Sequence, residues 1–211
     1  AAAPASCARD LGEPLAGHYD ITLHTATERI LAKYEEELGE RGLGMQFWTS
    51  QSAFPRLYDA ARCDFDVLFI GNTHTPVRQW RYDWIAGLPL ERAMYGLTNG
   101  DPAGIVEGVL DDDAELARAC ARGRFGLSVG QRFEDYEGTA FDFEGLAELG
   151  EFPLPSRIVQ LAAVGVPIVH LVKFDEARRD LEVMFPAVQV VGSDDELVSE
   201  VRSYLEDPAS L

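Results

Sequence analysis

DFDVLFIGNTHTPVRQW, Asp64–Trp80, decides how the rest of the chain is read. Its first half is a continuous apolar run that stops on Gly71, the pattern of a strand buried on both faces rather than one that alternates between core and water. Its second half opens a helix: Thr75 is a natural N-cap and Pro76 suits the first helical position. Strand, glycine turn and helix start therefore follow one another within seventeen residues, the unit from which parallel sheets are built.

Outward from this unit the same alternation continues. Towards the N-terminus, HYDITLH (His18–His24) reads as a strand and Thr27–Gly42 as a helix with Gly42 at its C-cap. Met45–Trp48 reads as a second strand and Ser52–Ala61 as a short helix or turn. Towards the C-terminus, strands are expected at Ala93–Leu97, near Ile105–Val109, and at Phe125–Gly130, with a helix at Asp113–Arg122 between the last two. A loop to Leu154 precedes the helix Ser156–Gly165. Then come the strand VPIVHLV, the helix Phe174–Phe185, the strand VQVVG and a closing helix Asp194–Asp207. Apolar strands alternating with amphipathic helices imply an α/β fold: a mostly parallel sheet covered on both faces. Residues 1–17 read as a flexible leader. Residues 18–211 read as a single domain, of which 18–62 is a linker-like lobe.

Composition narrows function. Of 211 residues, 36 are acidic and 18 basic, a formal net charge of −18. Such a surface repels phosphate backbones and anionic lipid, and no segregated basic face offsets it, so neither a nucleic acid nor a membrane surface is expected as partner. Lys33 and Lys173 are the two lysines among many arginines, which fits the coding bias of a GC-rich genome; a salt-adapted proteome is a second reading of the acidity. Cys7, Cys63 and Cys120 are odd in number and far apart, which argues for reduced thiols and a cytoplasmic location. The most apolar stretch, Ile158–Val172, is too short to span a bilayer.

Two turns carry candidate chemistry. At the first, Gly71 permits close backbone approach, Asn72 can donate a hydrogen bond and Arg78 follows near the first helical turn. These suit a phosphate, though a strand-breaking glycine and a solvated arginine explain the same residues. At the second, PSRIVQLAAVG, Pro155 and Ser156 open a helix with Arg157 in its first turn.

Read together, these pieces resemble the C-terminal half of GT-B glycosyltransferases, specifically the spore-maturation CgeB-like group. DVLFIGNTHTPVRQW is similar to that family's strand, Gly-Asn turn and arginine, and AMYGL to its "yG" strand. ELARACARGRFGLSVG, PSRIVQLAAVGVPIV and DDELVSEVRSYLEDP follow in the family's order. The resemblance implies a Rossmann-like three-layer sandwich that binds a nucleotide-sugar donor. Gly71, Asn72 and Arg78 would form one phosphate-facing turn and Ser156, Arg157 and Gln160 the other. It implies no resident cofactor and no metal, since helix dipoles and basic side chains offset the leaving diphosphate. Three departures bear on activity. Gln160 stands where the family carries a glutamate for the ribose hydroxyls. The segment Arg132–Phe152 carries Glu134, Asp135, Glu137, Asp142, Glu144, Glu148 and Glu151 against Arg132. The resemblance also covers only the donor half of a two-domain machine. The expected role is therefore a subunit of a heteromeric biosynthetic enzyme, with a second protein supplying the acceptor side. The alternatives are a noncatalytic partner-stabilising or regulatory subunit, and a partner-dependent enzyme whose acidic loop receives a cationic amine.

Other groups weigh in less. Asp111, Asp112 and Asp113 could hold a metal, but they directly precede a helix and suit an N-cap better. No histidine spacing supports zinc. His74, in the turn after Gly71, is the candidate for proton transfer, and His170 reads as a satisfied core group. Trp80 and Trp84, four apart, read as core, whereas Phe133, Tyr136, Phe141, Phe143 and Phe152 read as an interface or lid.

Overall fold

The computed structural model describes residues 22–24, 32, 42–44, 49–136, 151–152 and 157–207. Six strands form one open, all-parallel sheet: β3 (Phe65–Ile70), β4 (Arg92–Tyr95), β5 (Val106–Gly108), β6 (Gly123–Val129), β9 (Ile168–Leu171) and β10 (Gln189–Val191). Their spatial order is β10-β9-β6-β3-β4-β5, with every neighbouring pair parallel. β3 starts in the middle. The chain lays β4 and β5 on one side of it, then returns to lay β6, β9 and β10 on the other. This is the doubly wound, Rossmann-like order, and it leaves a crossover between β3 and β6 at the carboxyl edge.

Helices cover both faces. α2 (Asp113–Cys120), α3 (Arg157–Val164) and α4 (Asp175–Met184) pack on one side through Leu116, Cys120, Ile158, Leu161, Ala177 and Leu181. α1 (Gln79–Gly87) and α5 (Asp194–Glu206) pack on the other through Tyr82, Ile85, Leu197 and Val201. Because both faces are dry, strand residues of both parities are apolar, as in Val67, Leu68, Phe69 and Ile70, all buried.

Local chemistry explains the element ends. Asp112 caps α2 by accepting from the Glu115 amide at 2.7 Å, and Ser193 caps α5 by accepting from that of Glu196 at 3.2 Å. α3 ends in a Schellman arrangement. The Val166 amide donates to the Leu161 carbonyl and the Gly165 amide to that of Ala162, with Gly165 at φ +92°.

Several expectations need correction. β1 (Thr22–His24) pairs in parallel with β2 (Gly42–Gly44), apart from the six-stranded sheet. Gly42 is thus a strand residue, not a helix C-cap, and the second strand precedes Met45–Trp48, which lies outside the described residues. Ser52–Ala61, by contrast, is a turn at its start as expected, and its tail enters a 3-10 turn, Ala60–Arg62, capped by Asp59. Thr75 precedes a 3-10 turn, Pro76–Arg78, but makes no side-chain cap; α1 starts only at Gln79. After β6 the chain makes a short antiparallel pair, β7 (Gln131–Arg132) with β8 (Glu151–Phe152), and a 3-10 turn, Phe133–Tyr136. The leader 1–17, most of the helix expected over Thr27–Gly42, Ser156, and the loop acids and aromatics between 137 and 150 lie outside the described residues.

Candidate functional site

β3 ends at Ile70, and the turn that follows is stitched to the turn after β4. The Gly71 amide donates to the Tyr95 carbonyl at 2.9 Å. The amides of Thr73 and His74 donate to that of Leu97 at 2.8 and 3.1 Å. In return the Leu97 amide donates to Asn72 Oδ1 at 2.9 Å. Gly96 makes the approach possible. Its φ is +143°, and a Cβ there would sit 2.3 Å from the Gly71 carbonyl oxygen. The Asn72 side-chain oxygen is therefore committed to holding the two turns together.

Beside this seam lies a cavity of about 320 Å³ at the carboxyl edge of β3 and β4. Gly71 and Asn72 form one wall, Asp111, Asp112 and Asp113 at the start of α2 another, and Arg157 at the start of α3 a third. The exposed apolar side chains of Leu97 and Val109 stand at its rim. The glycine turn after β3 and the first residue of α3 thus meet in one place, at the carboxyl edge of the sheet where the strand order reverses.

Arg157 is the cation of this cavity. Its Nη1 donates to Gln160 Oε1 at 2.6 Å, and among the described residues it forms no ion pair. Burial presses its pKa below the ordinary value, against the pull of Cys120 and Asp113. The guanidinium stays charged at any physiological pH, so a partly buried positive charge faces the cavity with no carboxylate of the described residues in contact. Cys120, behind it, is inert: burial pushes the thiol up to about 12.

Gly71, Asn72 and Arg157 are brought together; Arg78, Gln160 and His74 do not line the cavity. Arg78 closes the 3-10 turn, Gln160 serves Arg157, and His74 is exposed, with its carbonyl accepting from Asn99 Nδ2 at 2.8 Å. The aspartates behave as a helix start: besides the Asp112 cap, the Asp111 amide donates to Glu115 Oε2 at 3.2 Å. Among the described residues no group of three His, Cys, Asp or Glu side chains could hold a metal, and no helix is long and apolar enough to cross a membrane.

Trp80 and Trp84 pack on the α1/α5 core with ring centroids 6.2 Å apart. Each also uses its indole N–H as a tether: Trp80 donates to Asp135 at 2.9 Å and Trp84 to Asp194 at 2.8 Å. Arg132 lies 3.8 Å over the Trp80 ring and pairs with Asp135 and Glu134 at 2.9 and 3.3 Å. The start of the acidic loop is thereby fastened to α1. Gly96, the glycine of the Tyr-Gly step in AMYGL, was not among the expected site residues, although that step closing a buried strand was its signal.

No protein-family model matches the chain, and no curated protein matches it. Among solved structures, the chain is similar to sucrose-phosphate synthase from Thermosynechococcus elongatus, with a TM-score of 0.54 at 12% identity. The match covers 93% of this chain and 52% of the other. The chain thus spans about half the length of that neighbour. At this identity the likeness is one of fold alone.

Proposed function

We propose that the cavity binds the anionic part of a nucleotide-sugar donor, and that the chain is the donor-binding subunit of a heteromeric glycosyltransferase of the cytoplasm, akin to the CgeB-like group. The observation that carries this reading is the Arg157 guanidinium, largely withdrawn from water and, among the described residues, without a carboxylate in contact, in one cavity with the glycine turn after the central strand. An arginine fork matches phosphate oxygens. Beside the acidic wall Asp111–Asp113, it is the group that makes an anion welcome there. A partner is part of the reading because a transfer reaction needs a second wall for the acceptor.

Calorimetric titration with UDP and GDP tests it. One of the two binds, and Arg157→Ala weakens that binding about 10- to 100-fold, the loss expected for a hydrogen bond to a charged group. Absence of binding by either nucleotide overturns the reading. The acidic wall favours one alternative, a partner-dependent enzyme whose substrate is a cationic amine; it predicts binding of a polyamine such as spermidine in place of the nucleotides.

A further inference from the structure

The floor of the cavity belongs to a row of side chains that crosses the sheet at one level. Tyr95 on β4 stands beside Ile70 on β3, and Ser128 on β6 beside His170 on β9. β3 and β6 run in register with Phe69 opposite Leu127, so Ile70 and Ser128 are the next step along. Strand alternation turns all four to the face that α2 and α3 cover. Ile70, Tyr95 and Ile168 lie in that core, while Leu127, Val129, Val169 and Leu171 lie in the other.

At one end of this row Tyr95 and Ile70 line the cavity. At the other end Ser128 is 3% exposed and His170 0%, and among the described residues neither the serine hydroxyl nor either ring nitrogen has a hydrogen-bond partner. α3 spans the gap. Leu161 fills the space left by the missing Cβ of Gly126. Four residues back along the helix, about 6 Å, match two residues forward along the strand, about 6.6 Å. Arg157 therefore stands at the level of Ser128 and His170.

We propose that Ser128 and His170 are ligand-binding residues of the Arg157 site, and that they receive an uncharged, hydroxyl-bearing group, the sugar of a nucleotide-sugar donor whose anionic part Arg157 holds. This rests on the donor reading above. The chemistry of the pair selects the group. Burial holds the imidazole neutral, with its pKa brought down to about 3, so it presents one donor and one acceptor, and the serine hydroxyl presents both. A sugar hydroxyl answers both kinds; phosphate oxygens only accept and would leave a ring nitrogen unanswered. Arg157 both lines the cavity and stands level with the pair, and among the described residues its side chain is held by the one neutral hydrogen bond to Gln160.

The test compares UDP with UDP-glucose and GDP with GDP-mannose in calorimetric titrations of the chain, His170→Leu and Ser128→Ala. At least one nucleotide sugar binds the parent fivefold or more tighter than its bare nucleotide. In both variants that advantage shrinks below twofold, while affinity for the bare nucleotide stays within twofold. A purely structural pair would shift melting temperature and leave the advantage intact. An advantage surviving in both variants, or a parent that binds the nucleotides with no advantage for either sugar, overturns the proposal; nucleotide binding lost in Arg157→Ala would then leave the donor reading standing. If none of the four ligands binds, both fall. Should His170→Leu fail to fold by circular dichroism, Ser128→Ala decides alone.

Discussion

His170 shows how a single residue ties the interior to solution conditions. In the unfolded chain an imidazole takes up a proton near pH 6.5. In the folded chain burial, with the Arg81 charge acting in the same direction, delays protonation to about pH 3. Between those values the unfolded state binds the extra proton, so this group subtracts stability as pH falls through the window, at about 1.4 kcal/mol per pH unit, and has no effect above it. Urea unfolding of the parent and of His170→Leu from pH 7 to pH 4 measures this: the parent loses stability more steeply below pH 6.5, and their difference grows by about that slope. Parallel curves would mean that the imidazole titrates normally. That His170 belongs to the core was legible from its place in VPIVHLV, but the expectation that its ring would be satisfied there is corrected: among the described residues neither nitrogen has a hydrogen-bond partner. That Asn72 spends its oxygen on the Leu97 amide was not legible, because the partner lies 25 residues on and is set by the pairing of two strands. The Thr75 cap failed for a similar reason: the sequence has the right residue before a proline, but the turn that forms is 3-10, and Thr75 Oγ1 is buried without a partner among the described residues.

Among elements, α3 matters most to the site, since its first residue is Arg157 and its seat on the sheet decides where that charge lies. The seat depends on Gly126, where a Cβ would meet the Leu161 methyls at 2.6 and 2.7 Å. Leu161 is itself buried and cannot turn away without lifting the helix. Gly126→Ala is therefore expected to cost about 1–3 kcal/mol, a drop of roughly 3–10 °C in melting temperature, and to weaken UDP binding because Arg157 moves with the helix. Gly87→Ala is the control: a Cβ there meets nothing within 4 Å, and the melting temperature stays level or rises slightly. Thermal melts and titrations of both variants check the pair. The alternation of strands and helices around α3 was readable because each buried strand must be apolar throughout. The order β10-β9-β6-β3-β4-β5 was not, because no residue pattern states which neighbour a strand takes. That order is what brings Gly71 and Arg157 to one cavity.

At the scale of the whole molecule the electrostatics run against the proposed ligand. A chain of net charge −18 repels a nucleoside diphosphate, while the local pull comes from Arg157 on the cavity wall. The two act over different ranges. Repulsion from charges spread over the surface reaches across solvent and is cut by salt once the Debye length falls from about 30 Å at 0.01 M to about 8 Å at 0.15 M. The attraction acts at contact, between a largely buried guanidinium and a phosphate oxygen, where mobile ions screen little. Salt thus removes more of the opposing term than of the favourable one. UDP affinity is expected to rise between 10 and 150 mM NaCl, the reverse of what a basic phosphate-binding patch shows. Calorimetry at three salt concentrations measures the sign. A steep loss of affinity with salt would mean that the ligand is drawn in by exposed basic residues, and Arg157 in its half-dry cavity would not be the anchor.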